Sequence, residues 1–274
     1  MTIQPTEIAR KFVDARTTAR ALPDYPGAQP NDLDEGYQVQ ELAIGLWPDE
    51  IAGWKIGRVP PDWTARLGAE RLAGPIFSRL VWPVQGKTPI PFPVFNGGFA
   101  AVEAEFVLRM AEDAPPSKTD WTESEAVALV AGLHIGVELA GSPLATINAL
   151  GSPVVASDFG NNHGLIVGAE IPNWSRYADE DLICETFIEG QSVGRGTAAG
   201  VLGGPIGSLV FLLEHLARRG RPLKAGQYVS TGAATGVHDV KIGESARVSF
   251  GPLGEILCFA QAAMPAQIRR AAKT

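Results

Sequence analysis

The run Ala101-Val102-Glu103-Ala104-Glu105-Phe106-Val107-Leu108 alternates between two classes of side chain, and alternation of that length reads as a strand. Val102, Ala104, Phe106 and Leu108 point to one face, Glu103 and Glu105 to the other. The two acids then stand side by side, with Cβ atoms roughly 6–7 Å apart. Carboxylates that close repel each other, and one takes up a proton unless a cation lies between them. A hard divalent ion, Mg²⁺ or Mn²⁺, is the simplest such cation because it prefers oxygen ligands. The competing reading is an exposed strand face with two solvated acids.

The rest of the chain agrees with a strand-built body. Glycine (31) and proline (21) are frequent, and short alternating apolar runs lie between them, which suggests many strands and tight turns rather than a helical bundle. A chain of 274 residues, 45% of them hydrophobic, can bury a sizeable core in one main unit with a smaller element attached. The formal net charge is −7 with scattered Lys and Arg, so no basic stripe argues for nucleic acid or an anionic membrane. Met1 to Pro5 lack the basic start and apolar core of a signal peptide, and no apolar run reaches the roughly 18 residues of a membrane span. Cys184 and Cys258 are too few for a disulfide framework, and without C-x-x-C a zinc cluster is not indicated. The expected setting is the cytoplasm.

Residues 1–50 read as a helical part and 51–274 as a strand-rich body. Ile8, Phe12, Val13 and Ala15 recur at helical spacing after Pro5. Asp32-x-x-Glu35 resembles a capping box that opens a second helix. Ile51 to Gly57 reads as a short strand, whereas 58–100 resists assignment. Thr122-x-x-Glu125 is another capping box, opening a helix expected to run through Val130. Leu133 to Leu139 alternates again, with His134, Gly136 and Glu138 on one face. Further strands are expected at 165–167, 182–188, 227–230, 246–250 and 255–259, with a hairpin turn at Glu189-Gly190-Gln191. Pro205 and Gly220 bracket a helix whose stripe is Ile206, Leu209, Leu213 and Leu216.

Several motifs carry chemistry only in the right surroundings. Gly190-Gln-Ser192-Val-Gly194 matches a G-x-S-x-G nucleophile elbow, but the glycine-rich stretch after it is a poor start for the required helix. Gly194-x-Gly196-x-x-x-Gly200 has the wrong spacing for a dinucleotide loop. His215 falls on the polar face of its helix and reads as a surface residue, and the role of His238 stays open. His134 is either a site residue beside Glu138 or a hydrogen-bonded core histidine. Lys55, between Trp54 and Ile56, is either a half-buried amine that needs a carboxylate or a stem that snorkels to water.

In order and spacing these pieces resemble the hydratase/decarboxylase branch of the fumarylacetoacetate hydrolase superfamily, from Trp54 to Phe259. The section that carries most of the likeness runs from Gly200-Val-Leu-Gly203 through Leu223-x-Ala-Gly226 and Val-Ser-Thr-Gly232-x-x-Thr-Gly236 to Val240-Lys-Ile-Gly243 and Gly251-Pro-Leu-Gly254. The resemblance implies an α+β fold, a mixed β-roll with a small N-terminal helical part. It implies a Mg²⁺ or Mn²⁺ site at Glu103, Glu105 and Glu138, with Lys55 as the catalytic amine. It implies that Ser230, Thr231 and Thr235 hold the substrate carboxylate. Asp158 and Asn161 stand in a substrate-binding segment that differs from the family's D-N-x-S-S and is one residue longer. Two departures are visible. The family acid between the lysine and E-x-E is missing from Ala73-Gly74-Pro75-Ile76-Phe77-Ser78, and Gly141-Ser142-Pro143 replaces the usual Asp-Ser-Arg. Glu70, the nearest carboxylate, and His134 are therefore the candidates for a second proton carrier.

The expected activity is hydration of 2-hydroxy-2,4-dienoates, the enol forms of 2-oxo-4-enoic acids, as in aromatic catabolism. The alternatives are C–C hydrolysis or decarboxylation of acylpyruvate-type 2-oxo acids, or a non-catalytic metal-binding subunit. The resemblance also implies a homo-oligomer acting on a small 2-oxo acid, with a related decarboxylase as a possible complex partner.

Overall fold

The computed structural model describes residues 4–265, so the first three and last nine residues of the two expected units lie outside the described part. In the first half of the chain, α1 (Pro5–Thr17) and α2 (Leu33–Leu46) precede β1 (Ile51–Arg58), α3 (Pro61–Leu67), β2 (Arg71–Phe77), β3 (Val81–Pro83), β4 (Ile90–Val94) and β5 (Phe99–Met110). Next come α4 (Glu123–Val127), β6 (Val130–Ser142), α5 (Ser152–Ser157), β7 (Asn162–Glu170), β8 (Ile183–Ile188) and β9 (Gln191–Thr197). Last are α6 (Gly204–Arg218), β10 (Tyr228–Ser230), β11 (His238–Asp239), β12 (Ser245–Ser249) and β13 (Glu255–Ala262).

The strands form two mixed sheets. The larger runs β2-β1-β10-β5-β6-β7-β3 with β11 also on β5, and the smaller runs β4-β13-β12-β8-β9. β5 and β6 pair antiparallel along nearly their whole length and form the centre of the larger sheet. Their alternation decides what each face buries. Val102, Ala104, Phe106 and Leu108 on β5, with Leu133, Ile135, Val137 and Leu139 on β6, join one continuous core with α6 and the smaller sheet. The opposite face carries Glu103, Glu105 and Glu138, all buried.

The N-terminal helices cover part of the larger sheet. Ile8, Phe12 and Val13 of α1 pack with Val39 and Ala43 of α2 against Phe77, Leu144 and Phe159. The Asp32 carboxylate caps α2 by accepting from the Glu35 backbone, 2.9 Å away. The expected box is half formed, because Glu35 accepts from the Asn31 backbone instead of from Asp32. The Thr122–Glu125 box is complete, but α4 ends at Val127 and β6 has begun by Val130, so the helix is shorter than expected.

The stretch that resisted assignment holds α3 and three strands. β2 is buried on both faces and so shows no alternation to read. A Cβ on Gly74 would lie 1.9 Å from the Phe159 carbonyl oxygen, which explains why this strand has a glycine there. Gly190-Gln-Ser192-Val-Gly194 is no elbow: Glu189 and Gly190 form a two-residue hairpin turn, both with positive φ, and Ser192 sits exposed on β9. His215 is not a surface residue either; its ring lies 4.8 Å from that of Tyr37 and stacks on Phe211. No helix among the described residues is long and apolar enough to cross a membrane.

Candidate metal centre

Register creates the site. Glu103 of β5 lies directly opposite Glu138 of β6, and Glu105 lies opposite Gly136. Oxygens of the three carboxylates come within 4.8 Å of one another. Glu105 and Glu138 are fully buried and Glu103 is 5% exposed, so the set opens to solvent only past Glu103.

Neighbouring groups hold each acid in place. Glu105 Oε2 accepts from the Ser230 hydroxyl at 2.5 Å and from the Gly232 backbone N–H at 2.9 Å. Glu138 Oε1 accepts from Asn162 Nδ2 at 2.7 Å. The remaining oxygens, Glu105 Oε1 and Glu138 Oε2, are buried with no hydrogen-bond partner. Lys55 Nζ stands 3.5 Å from Glu138 Oε2, an ion-pair distance outside hydrogen-bonding range, and it donates instead to Asn161 Oδ1 at 3.1 Å. Asn161 in turn donates to Asn148 Oδ1 at 3.1 Å.

Three acids face one amine, and burial makes it costly to ionise all three. Burial is the main reason that Glu105 is pushed up to about 8; Glu103 adds to it, and Ser230, Gly232 and Lys55 oppose it. Burial likewise raises Glu103, against the pull of Lys55, and lifts Glu138 well above the carboxylate range. Burial alone would lower Lys55, but Glu138, Glu103 and Glu105 together outweigh it and hold the amine above its ordinary value. A dication among the three facing carboxylates would cancel that pull. Two partnerless oxygens in a buried all-carboxylate set fit a hard divalent cation, which takes oxygen ligands and charge compensation together.

A cavity of about 580 Å³ lies beside this cluster and is lined by Lys55, Glu103 and Asn161. Residues 231–234 and 200–202, with Arg58 and Arg71, also line it.

Not every candidate residue reaches this cavity through its side chain. The Ser230 hydroxyl is engaged with Glu105, and the Thr231 hydroxyl donates to the Phe106 carbonyl at 2.6 Å. Thr235 is not among the lining residues; its hydroxyl pairs with Thr186 at 2.9 Å and lies 3.2 Å from His238 Nε2. Asp158 is turned into the protein, where Arg16 of α1 clasps both its oxygens, at 2.6 and 3.0 Å, and Ser142 donates at 2.6 Å. Glu70 is exposed and outside the cavity lining. His134 shares a face with Glu138 but sits four residues away, about 13 Å along the strand. It is half-buried, and its Nδ1 lies 3.3 Å from the Gly168 carbonyl.

Sequence reasoning missed the groups that hold the set together. Asn162 orients Glu138, and Arg16 also donates to the Asn162 carbonyl at 3.0 Å, which ties α1 to the site from behind. Arg16 stands in an ordinary amphipathic helix, and nothing in its local sequence signals that reach. Asn162 had a signal, since it is the last residue of the altered Asp158-Phe-Gly-Asn161-Asn162 segment.

No family model matches the chain. Among curated proteins it is 25% identical over 256 residues to a 4-oxalocrotonate decarboxylase from a Pseudomonas species, covering 92% of this chain and 96% of that protein. It is 27% identical over 239 residues to 2-keto-4-pentenoate hydratase 2 of Dechloromonas aromatica, covering 82% and 85%. Among solved structures, the 4-oxalocrotonate decarboxylase of Pseudomonas putida G7, complexed with magnesium and adipate, matches with a TM-score of 0.75 at 19% identity, over 94% of this chain and 97% of that one. The chain has the fumarylacetoacetate hydrolase fold and resembles the superfamily's hydratase/decarboxylase branch. Fumarylpyruvate hydrolase from Pseudomonas aeruginosa, in complex with Mn²⁺ and pyruvate, shares the fold at a TM-score of 0.56 and 17% identity, over 77% and 89% of the two chains. The curated relatives are a decarboxylase and a hydratase, and a hydrolase shares the fold.

Proposed function

We propose that this chain is a Mg²⁺- or Mn²⁺-dependent hydratase of 2-hydroxy-2,4-dienoates, with Glu103, Glu105 and Glu138 as metal ligands. The observation that carries the reading is the buried carboxylate triad with two oxygens that accept no hydrogen bond, beside Lys55 on the lining of a cavity. A divalent ion held there would supply Lewis-acid chemistry, drawing charge onto the 2-oxygen of a chelating 2-oxo acid or enol.

The chain's own groups do the rest. Ser230 and Gly232 fix one oxygen of Glu105, and Asn162 fixes one of Glu138, so the other oxygen of each would be available to hold the ion. Lys55 holds a proton on Nζ beside the triad and can deliver it to the substrate carbon skeleton or remove it. Asn161 keeps that amine pointed inward, and Asn148 steadies Asn161. The walls that bury Glu105 and Glu138 exclude bulk water from the charged end.

One observation favours a second reading. Hydration needs a proton carrier besides Lys55, yet neither Glu70 nor His134 lines the cavity. C–C hydrolysis of an acylpyruvate-type 2-oxo acid likewise needs an activated water and a proton for the departing enolate, whereas decarboxylation releases CO₂ and needs one proton, which Lys55 can supply. Incubating the Mg²⁺-loaded protein with 2-hydroxypenta-2,4-dienoate and with an acylpyruvate separates them. Formation of the 4-hydroxy-2-oxo acid supports hydration, cleavage of the acylpyruvate replaces that assignment with the hydrolase, and turnover of neither leaves a non-catalytic metal-binding subunit. We also infer a homo-oligomer with its site in the cytoplasm.

A further inference from the structure

Three consecutive residues just before β7 have left-handed backbone. Phe159, Gly160 and Asn161 have φ of 56°, 63° and 54°. Glycine enters that region freely and asparagine tolerates it, but a bulky aromatic rarely does. A left-handed residue other than glycine is strained, and the strain persists only where the surroundings over-determine it.

Here they do. The Asn161 backbone N–H closes the turn onto the Asp158 carbonyl at 2.9 Å. The Phe159 ring packs edge-on against Trp47 and Phe77, with centroids 5.6 and 5.0 Å away, and the Arg16 guanidinium lies 5.2 Å from its centre. Arg16 also grips both ends of the turn. On the near side, Nε and Nη2 donate to the two Asp158 oxygens. On the far side, Nη1 donates to the Asn162 carbonyl at 3.0 Å and lies 3.2 Å from His163 Nδ1. Nη2 reaches the Gly141 carbonyl as well, at 3.0 Å, three residues beyond Glu138 on β6. A planar fork with fixed donors can bridge these points at once, and an ammonium point charge cannot.

The turn makes two neighbouring amides diverge. Asn161 is left-handed and Asn162 is extended, with φ −67° and ψ 138°. Asn161 Oδ1 accepts from Lys55, whereas Asn162 Nδ2 donates to Glu138. Neither Arg16 nor Asp158 is among the residues that line the cavity.

We propose that Arg16 is a positioning residue for the metal centre: it holds the left-handed turn at 159–161, and the turn sets the amides of Asn161 and Asn162 on Lys55 and Glu138. This rests on the metal reading above and gives the N-terminal helix α1 a part in it. The role differs from that of a counter-charge for Asp158, which a lysine could also fill.

Arg16→Lys separates the two roles, because it keeps a cation opposite Asp158 and loses the fork. Titration calorimetry of the full chain with Mg²⁺ should show this variant binding roughly tenfold more weakly than wild type, or worse, the scale of a lost ligand-orienting contact. In an Asn162→Ala background the same substitution should weaken binding further by no more than about twofold, because the amide it acts through is gone. Thermal melting checks that each variant is folded. If Arg16→Lys does not fold, the pair Arg16→Met and Asp158→Asn, which removes both charges together, takes its place with the same expectation. The turn itself is checked without metal. Asn161→Ala should melt lower than Asn161→Gly, since both lose the amide and only alanine is strained in left-handed backbone. Wild-type Mg²⁺ affinity in the folded variant, a full effect that survives Asn162→Ala, or equal melting of the two Asn161 variants would overturn this inference alone. A wild type that binds neither Mg²⁺ nor Mn²⁺ would sink the metal reading, and this inference with it.

Discussion

Glu105 is held by one oxygen and free at the other. A glutamine there keeps the volume and loses the charge, so Glu105→Gln should weaken Mg²⁺ binding by at least a factor of ten. Asn162→Ala, which frees Glu138 to rotate, should cost roughly 10–100-fold. Titration calorimetry on both variants checks this, and unchanged affinity in Glu105→Gln would remove the acid from the site. Lys55→Met should reduce turnover by roughly 10²–10⁴-fold while changing metal affinity far less; a wild-type rate would make the lysine merely structural. The two acids on β5 were legible because a period of two puts them on one face whatever surrounds them. Glu138 and Lys55 were legible as site residues only through the family likeness. The amides were not, because the contacts that matter are remote in sequence: Lys55 meets Asn161 across 106 positions. Sharing a face misled for His134, since a strand face says nothing of distance along the strand.

Arg16 shows how an element far from the triad in sequence shapes it. It is buried, fully paired with Asp158, and joins α1 to the segment that carries Asn161 and Asn162. Arg16→Met should strand the Asp158 charge and cost about 3–5 kcal/mol. A melting temperature within about 2 °C of wild type would show that the pair contributes little. The packing of α6 on α2 makes a pH prediction. Burial, then Arg219 and Arg218, lowers His215 to about 3. Between that value and its ordinary value near 6.5 the unfolded chain binds a proton that the folded chain refuses, so acid costs stability across that window. His215→Gln should flatten the fall in melting temperature between pH 6.5 and pH 4; an unchanged slope would mean that other groups carry it. Elements with a clean period, such as β5, β6, α1 and α6, could be located in advance. β2 could not, because it is buried on both faces, nor could β3 and β4, which are short and proline-bearing.

Across the whole molecule, the smaller sheet ends in two edge strands, β4 and β9, and β9 exposes Val193. Unpaired edges with apolar side chains need cover, so the full chain should sediment as a homo-oligomer at micromolar concentration; a monomer would remove that inference. The buried triad also bears on how such a chain can change. Three acids out of water, two of them with an unanswered oxygen, weaken the fold that holds them. Replacing Glu103, which accepts no hydrogen bond from the described residues, with a fitted apolar side chain should make the protein harder to melt and empty it of its chemistry. A lineage relieved of catalysis would therefore drift toward sturdiness by discarding glutamates, and a chain that still carries all three stands at the working end of that slope.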